Sequence, residues 1–170
     1  MEIVASARLV LRTWQLEDAE ALFKIYSNPE LYRFTGAEPF PDVETTRRYM
    51  EEYFIKRPKE LGFGVWAVVE KASGKLVGTC GLDYFDGRPE LGLGYWFDPE
   101  YWGRGYATEA ARACVAYAFD KLNAPELASM THSQNKASQR VLEKAGFVCV
   151  EMVTEEDGTI GMLYVARKPG

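Results

Sequence analysis

Apolar positions recur with two different periods along the chain, and the switches between them mark its elements. Arg8-Leu9-Val10-Leu11-Arg12 sets apolar residues between charges and reads as a first strand; thereafter Leu16, Ala19, Leu22, Phe23 and Tyr26 recur at helical spacing until Pro29. Past the aromatic, Pro-containing loop from Tyr32 to Pro41, a second helix is predicted from Asp42 or Thr45, carrying Tyr49, Met50, Tyr53 and Phe54 toward Pro58. Phe63 to Glu70 and Lys75 to Tyr84 are apolar runs joined by Ala72-Ser73-Gly74, which predicts an antiparallel hairpin. A further strand, Glu90 to Phe97, contains Gly92 and Gly94. These weaken a plain strand and predict a bulge or a place where another backbone or a ligand comes close.

Beyond Asp98-Pro99-Glu100 the pattern turns helical again. Ala107, Ala110, Ala111, Cys114, Val115 and Ala118 form a face of small residues suited to lying close on a sheet. There follow a strand from Leu127 to Thr131 and a helix from Lys136 to Ala145, stopped by Gly146 with Phe147 folding back onto it. Strands from Phe147 to Thr154 and Thr159 to Arg167 turn at Glu156-Asp157-Gly158. No internal repeat or low-complexity linker interrupts the 170 residues, so one domain, 1–170, is expected.

The formal charge of −5 supplies no field to draw nucleic acid or an anionic membrane, and it suits a cationic amine better. Cys80, Cys114 and Cys149 are odd in number and widely spaced, as expected of buried thiols in a reducing compartment. The start Met1-Glu2-Ile3-Val4-Ala5 lacks the marks of a signal peptide, and no apolar run approaches the ~18 residues of a membrane span, so a cytoplasmic location is expected. His132 is the one histidine. It reads as a residue of an acceptor cleft or as a loop hydrogen-bonder, and one histidine does not make a zinc site, so no metal is expected.

The strand, glycine-containing turn and helix from Leu93 to Phe119 place free amides at a helix N-terminus, where the dipole and unpaired N–H groups favour anions. Gly103, Gly105 and small Ala107 let a phosphate approach the backbone, although two glycines before a helix also serve plain turn geometry. The lysine and hydroxyl of a nucleoside-triphosphate loop do not follow, which removes ATP and GTP.

The run Tyr95-Trp96-Phe97-Asp98-Pro99-Glu100-Tyr101-Trp102-Gly103-Arg104-Gly105-Tyr106-Ala107-Thr108-Glu109-Ala110 resembles the cofactor motif of the GNAT acetyltransferases, in their RimJ/RimL-like branch. The block from Asn135 to Phe147 resembles that branch's second signature, and Arg8 to Arg12 with Asn28-Pro29-Glu30 resembles its N-terminal pattern. The first place of the six-residue motif departs: the family has Gln or Arg where this chain has Trp102.

The resemblance implies an α/β, single GNAT-like domain with a central mixed, mostly antiparallel sheet of about seven strands flanked by about four helices. A splayed strand pair would hold acetyl-CoA, the cosubstrate. Its diphosphate would lie on backbone amides of Trp102, Gly103, Arg104, Gly105, Tyr106, Ala107 and Thr108. Its pantetheine would pair with the backbone of Tyr95, Trp96 and Phe97, whose side chains also suit core packing. Asn135 would bond the pantetheine arm, cap the helix at Lys136, or both. Ser138 would stand near the cofactor sulfur as proton donor, or lie as a plain helix-surface serine. The tyrosine that many relatives use as acid falls here at Leu142.

An attacking amine must be neutral, yet alkylamines titrate near ~10.4, so a base is required. Where this branch often carries Glu, the chain has Gly92. Glu90, two residues earlier on the same strand face, is the candidate base through water, with a solvated edge carboxylate as its alternative. An amide near Trp96 or Phe97 would stabilise the oxyanion. Trp14, Tyr32 and Phe34 are candidates for the acceptor cleft or for packing. Two functions follow: acetyl transfer to a primary amine, such as a protein N-terminus or a small amine, by a monomer or homodimer, or CoA binding without turnover.

Overall fold

The computed structural model describes residues 1–85 and 88–170. Eight strands form one sheet in the order β1-β2-β3-β4-β5-β6-β8-β7. They are β1 (Glu2–Ala5), β2 (Leu9–Arg12), β3 (Val65–Glu70), β4 (Leu76–Tyr84), β5 (Leu91–Phe97), β6 (Glu126–His132), β7 (Val148–Thr154) and β8 (Ile160–Arg167). Every pairing is antiparallel except β5 with β6. The sheet has one strand more than the pattern predicts. β1 is a four-residue edge with only Ile3 and Val4 as large apolar residues, too short to register a period.

Two helices cover one face. α4 (Tyr106–Asp120) packs Ala110, Ala111, Cys114 and Ala118 onto the sheet, and α5 (Lys136–Lys144) adds Leu142. Tyr106 and Phe119 complete the buried stripe of α4, whereas Ala107 and Val115 stand at its margin. Small side chains bring α4 so close that the thiols of Cys80 and Cys114 lie 3.4 Å apart, both free and fully buried, and burial pushes the Cys114 thiol up. Cys149 is only partly buried.

The opposite face is covered by α1 (Ala19–Tyr26) and by a continuous helical segment made of α2 (Val43–Tyr49), a π-helical stretch (Met50–Lys56) and α3 (Arg57–Leu61). The sequence reading closes this helix near Pro58, whereas it runs on to Leu61 and stops at left-handed Gly62. Proline lacks an N–H and clashes with the carbonyl four residues back in an α-turn; the wider π-turns just before it, in which Arg57 N–H reaches Glu52 O, provide room. Trp14 belongs to this second core, stacked on Phe54 with its indole donating to Val65 O, so it does not line a cleft.

Arg12 on β2 makes two 2.8 Å bonds to Asp18 before α1. Burial works to raise the Asp18 carboxyl, but the guanidinium and the Gln15 amide outweigh it and the pKa is lowered. The pair therefore stabilises fully above the ordinary Asp value near ~4 and loses its contribution as pH falls through the lower folded value. Arg12→Ala is expected to cost about 2 kcal/mol at neutral pH, with the gap to wild type closing in acid. Urea melts at pH 7 and pH 3 check both.

Candidate active site

The one parallel pairing is short. β5 and β6 meet at Leu91↔Leu127 and Gly92↔Ala128, and beyond these residues they diverge into a wedge. At its vertex Ser129 Oγ donates to Leu93 O at 3.0 Å. The bulge expected at Gly92 and Gly94 is not there, because β4 and β5 pair one to one from Gly78↔Phe97 to Tyr84↔Leu91. Close approach is the reason for Gly92, whose Cβ would meet the Phe85 ring at 3.1 Å; a Cβ on Gly94 would meet nothing within 4 Å. The splay arises on the β6 side alone.

Antiparallel alternation fixes which amides face the wedge. Asp98 N–H donates to Val77 O, which turns the main chain of Trp96 toward β4 and that of Tyr95 and Phe97 toward the opening. The Trp96 amide, named above for pantetheine and oxyanion contacts, is thus directed into the β4 ladder. Its indole lies on the α1 face, near Tyr26 and Tyr32.

At the open end, Gly103 (φ +76°) and Gly105 (φ +80°) alternate with Arg104 to form a concave turn leading into α4. The conformation places a run of N–H groups on one side. Trp102 N–H donates to Pro99 O and Glu109 N–H to Gly105 O, and none of the six amides between them, from Gly103 to Thr108, donates within the described residues. A Cβ on Gly103 would meet nothing within 4 Å. Such a run of unpaired amides at a helix start favours an anion. The Trp102 side chain folds back so that its indole donates to Phe97 O at 2.8 Å, and Arg104 stacks over Tyr101. The Tyr106 phenol bonds the Glu70 carboxylate, which raises its pKa.

The sequence reading did not single out Arg8 and Glu109 at this place. Arg8 Nε and main-chain N–H both donate to the Glu109 carboxylate at 2.7 Å, Ser6 Oγ donates to it at 2.6 Å, and Arg8 Nη1 donates to Arg104 O at 2.9 Å. A charged pair that spans about a hundred residues leaves no local pattern to find.

The far lip of the wedge is β6 with α5. Asn135 Oδ1 accepts the Ser138 amide at 3.1 Å, so Asn135 caps α5. Gln139, also unremarked in the sequence, is buried and donates to the carbonyls of His132 and Ser133, tying α5 to the end of β6. Ser138 Oγ lies 2.7 Å from the Tyr95 hydroxyl, joining the two lips; burial pushes the Tyr95 phenol well up, against the Ser138 bond. Leu142 is fully buried in the core.

On the α1 face of the wedge, Tyr32 packs on Trp96 and Phe34 on His132, so one loop touches both lips. His132 Nδ1 accepts the Gln134 amide at 3.0 Å, which assigns the proton of the neutral ring to Nε2 and leaves it a donor there. Extending the alternation of β5 back one residue puts Glu90 on this same face, about 7 Å along the strand from Gly92. Its Oε2 is buried without a hydrogen-bond partner among the described residues. No three His, Cys, Asp or Glu side chains cluster among those residues, and no helix is long and apolar enough to cross a membrane.

A family profile described as acetyltransferase (GNAT) domain matches residues 8–148. The uncharacterized N-acetyltransferase p20 of Bacillus licheniformis is 31% identical over 150 residues, covering 86% of this chain and 83% of that one. The fold matches a GNAT-family acetyltransferase from Bacillus anthracis, with TM-score 0.84 at 24% identity over 99% of each chain. It also matches RimL, the ribosomal L7/L12 α-N-protein acetyltransferase in complex with coenzyme A, with TM-score 0.82 at 16% identity over 98% of each. With a wedge and cradle of this geometry and a profile spanning most of its length, the chain belongs to the GNAT acetyltransferases and is an acetyl-CoA-dependent N-acetyltransferase.

Proposed function

We propose that residues 1–170 act as a single cytoplasmic enzyme domain of the RimJ/RimL-like branch, transferring acetyl from acetyl-CoA to a primary amine: a protein N-terminus, as RimL does by name, or a small amine. The six undonated amides from Gly103 to Thr108, beside the wedge between β5 and β6, carry this reading. They fit a diphosphate because their N–H groups converge where Gly103 and Gly105 leave no side chain in the way.

When bound, the cosubstrate supplies an acetyl group activated as a thioester. The Tyr95 and Phe97 backbone edge orients the pantetheine arm, with Asn135 on the opposite lip. The Phe97 amide, turned into the wedge, stabilises negative charge on the acetyl oxygen, a contribution of about 3 kcal/mol. Glu90 takes the amine proton through water, its unpartnered Oε2 serving as acceptor. Ser138 donates a hydrogen bond to the departing sulfur, which leaves as the thiolate and takes its proton from solvent. Tyr95, bonded to Ser138 Oγ, holds that hydroxyl in place.

An acceptor screen with mass detection of acetylated product tests the reading. Protein N-terminal peptides and small amines separate the two substrate classes, and CoA binding with no product from any amine would leave only a docking module. With an acceptor in hand, Glu90→Gln is expected to lower kcat about 100-fold near neutral pH, measured by free-thiol release.

A further inference from the structure

Glu109 poses an electrostatic problem. It lies in the first turn of α4, four residues past Gly105, and a bare carboxylate there would repel the diphosphate that the neighbouring amides attract. We infer that Arg8 is a positioning residue of the cofactor site: its guanidinium cancels the Glu109 charge and, from the side opposite the diphosphate, orients the cradle's peptide. This inference rests on the cofactor placement proposed above.

Three observations carry it. The Glu109 carboxylate is fully engaged, by Arg8 Nε and main-chain N–H at 2.7 Å each and by Ser6 Oγ at 2.6 Å. These bonds outweigh burial, which alone would raise the group, and hold its pKa below the usual Glu value. Arg8 Nη1 pins Arg104 O at 2.9 Å. In a trans peptide the carbonyl and the next N–H point opposite ways, so drawing the Arg104 carbonyl toward Arg8 turns the Gly105 N–H away from it, to the open side of the turn. Lastly, the guanidinium lies over the Tyr106 ring at 4.6 Å, and its Nη2, without a bond among the described residues, is 3.5 Å from where a Gly105 Cβ would stand.

Calorimetry with CoA tests this on the whole chain. Arg8→Ala is expected to bind about 30-fold more weakly, and adding Glu109→Gln to it to recover about fivefold, because the orphaned carboxylate is gone. Glu109→Gln alone, which leaves the Arg8 charge uncancelled, is expected to tighten binding about threefold, and it decides the matter if Arg8→Ala fails to fold by thermal melt. A folded Arg8→Ala within twofold of wild type, a double variant no better than the single, or a Glu109→Gln that binds no tighter would overturn the inference. A wild-type chain that does not bind CoA would instead overturn the cofactor placement itself.

Discussion

Gly105→Glu is expected to weaken acetyl-CoA binding by at least about 100-fold, or ~2.7 kcal/mol, while the chain still folds. At φ +80° any side chain costs about 1 kcal/mol of backbone strain, which the fold tolerates. The larger effect is electrostatic. The new carboxylate would stand in the middle of the amide run, beside Arg8 Nη2, and its charge would repel a diphosphate held by those amides. Gly105→Ala separates the two terms, since it carries the strain without the charge and is expected to retain most of the affinity. Calorimetry on both variants, with melts to confirm folding, distinguishes them; equal losses in the two would place the defect in the backbone and count against a diphosphate at this turn.

Gly81→Val is expected to prevent folding, at a cost above about 4 kcal/mol against a typical total of 5–15. Gly81 sits at the centre of β4 between Val65 and Gly94, and a Cβ there would fall 2.3 Å from Gly64 O and 2.4 Å from Val65 Cα. Both obstacles are backbone in the middle of the sheet, so no side-chain rotation relieves them. Gly94→Ala is the control: its Cβ would meet nothing within 4 Å, and its melt is expected to stay within a few degrees of wild type. A cooperative melt for Gly81→Val near the wild-type temperature would show that the β3–β4 spacing yields more than close packing allows.

Local chemistry carried far in this chain. Elements with five or more residues in one period were legible, from the small-residue face of α4 to the Asn135 cap and the left-handed stop at Gly146, because each depends on neighbours within a turn or two. The glycine turn before α4 was legible for the same reason: Gly103 and Gly105 mark positive φ wherever the rest of the chain goes. The continuation of the second helix past Pro58 was not, since the π stretch that admits the proline has no residue signature. Nor was the difference between Gly92 and Gly94. Both predicted a bulge or a close approach, and only the placement of Phe85 over one and open space over the other tells them apart.

The order of elements, the amide-rich turn and the family resemblance all follow from short-range spacing and are readable along the chain. The surroundings of that turn depend instead on how distant elements pack. Arg8 just before β2 reaches Glu109 on α4, Tyr95 meets Ser138 across the wedge, and the Trp96 amide turns toward β4 while that of Phe97 turns outward. Strand pairing and helix docking set these relations between residues far apart in sequence, and a linear period carries no information about which distant side chains will face each other.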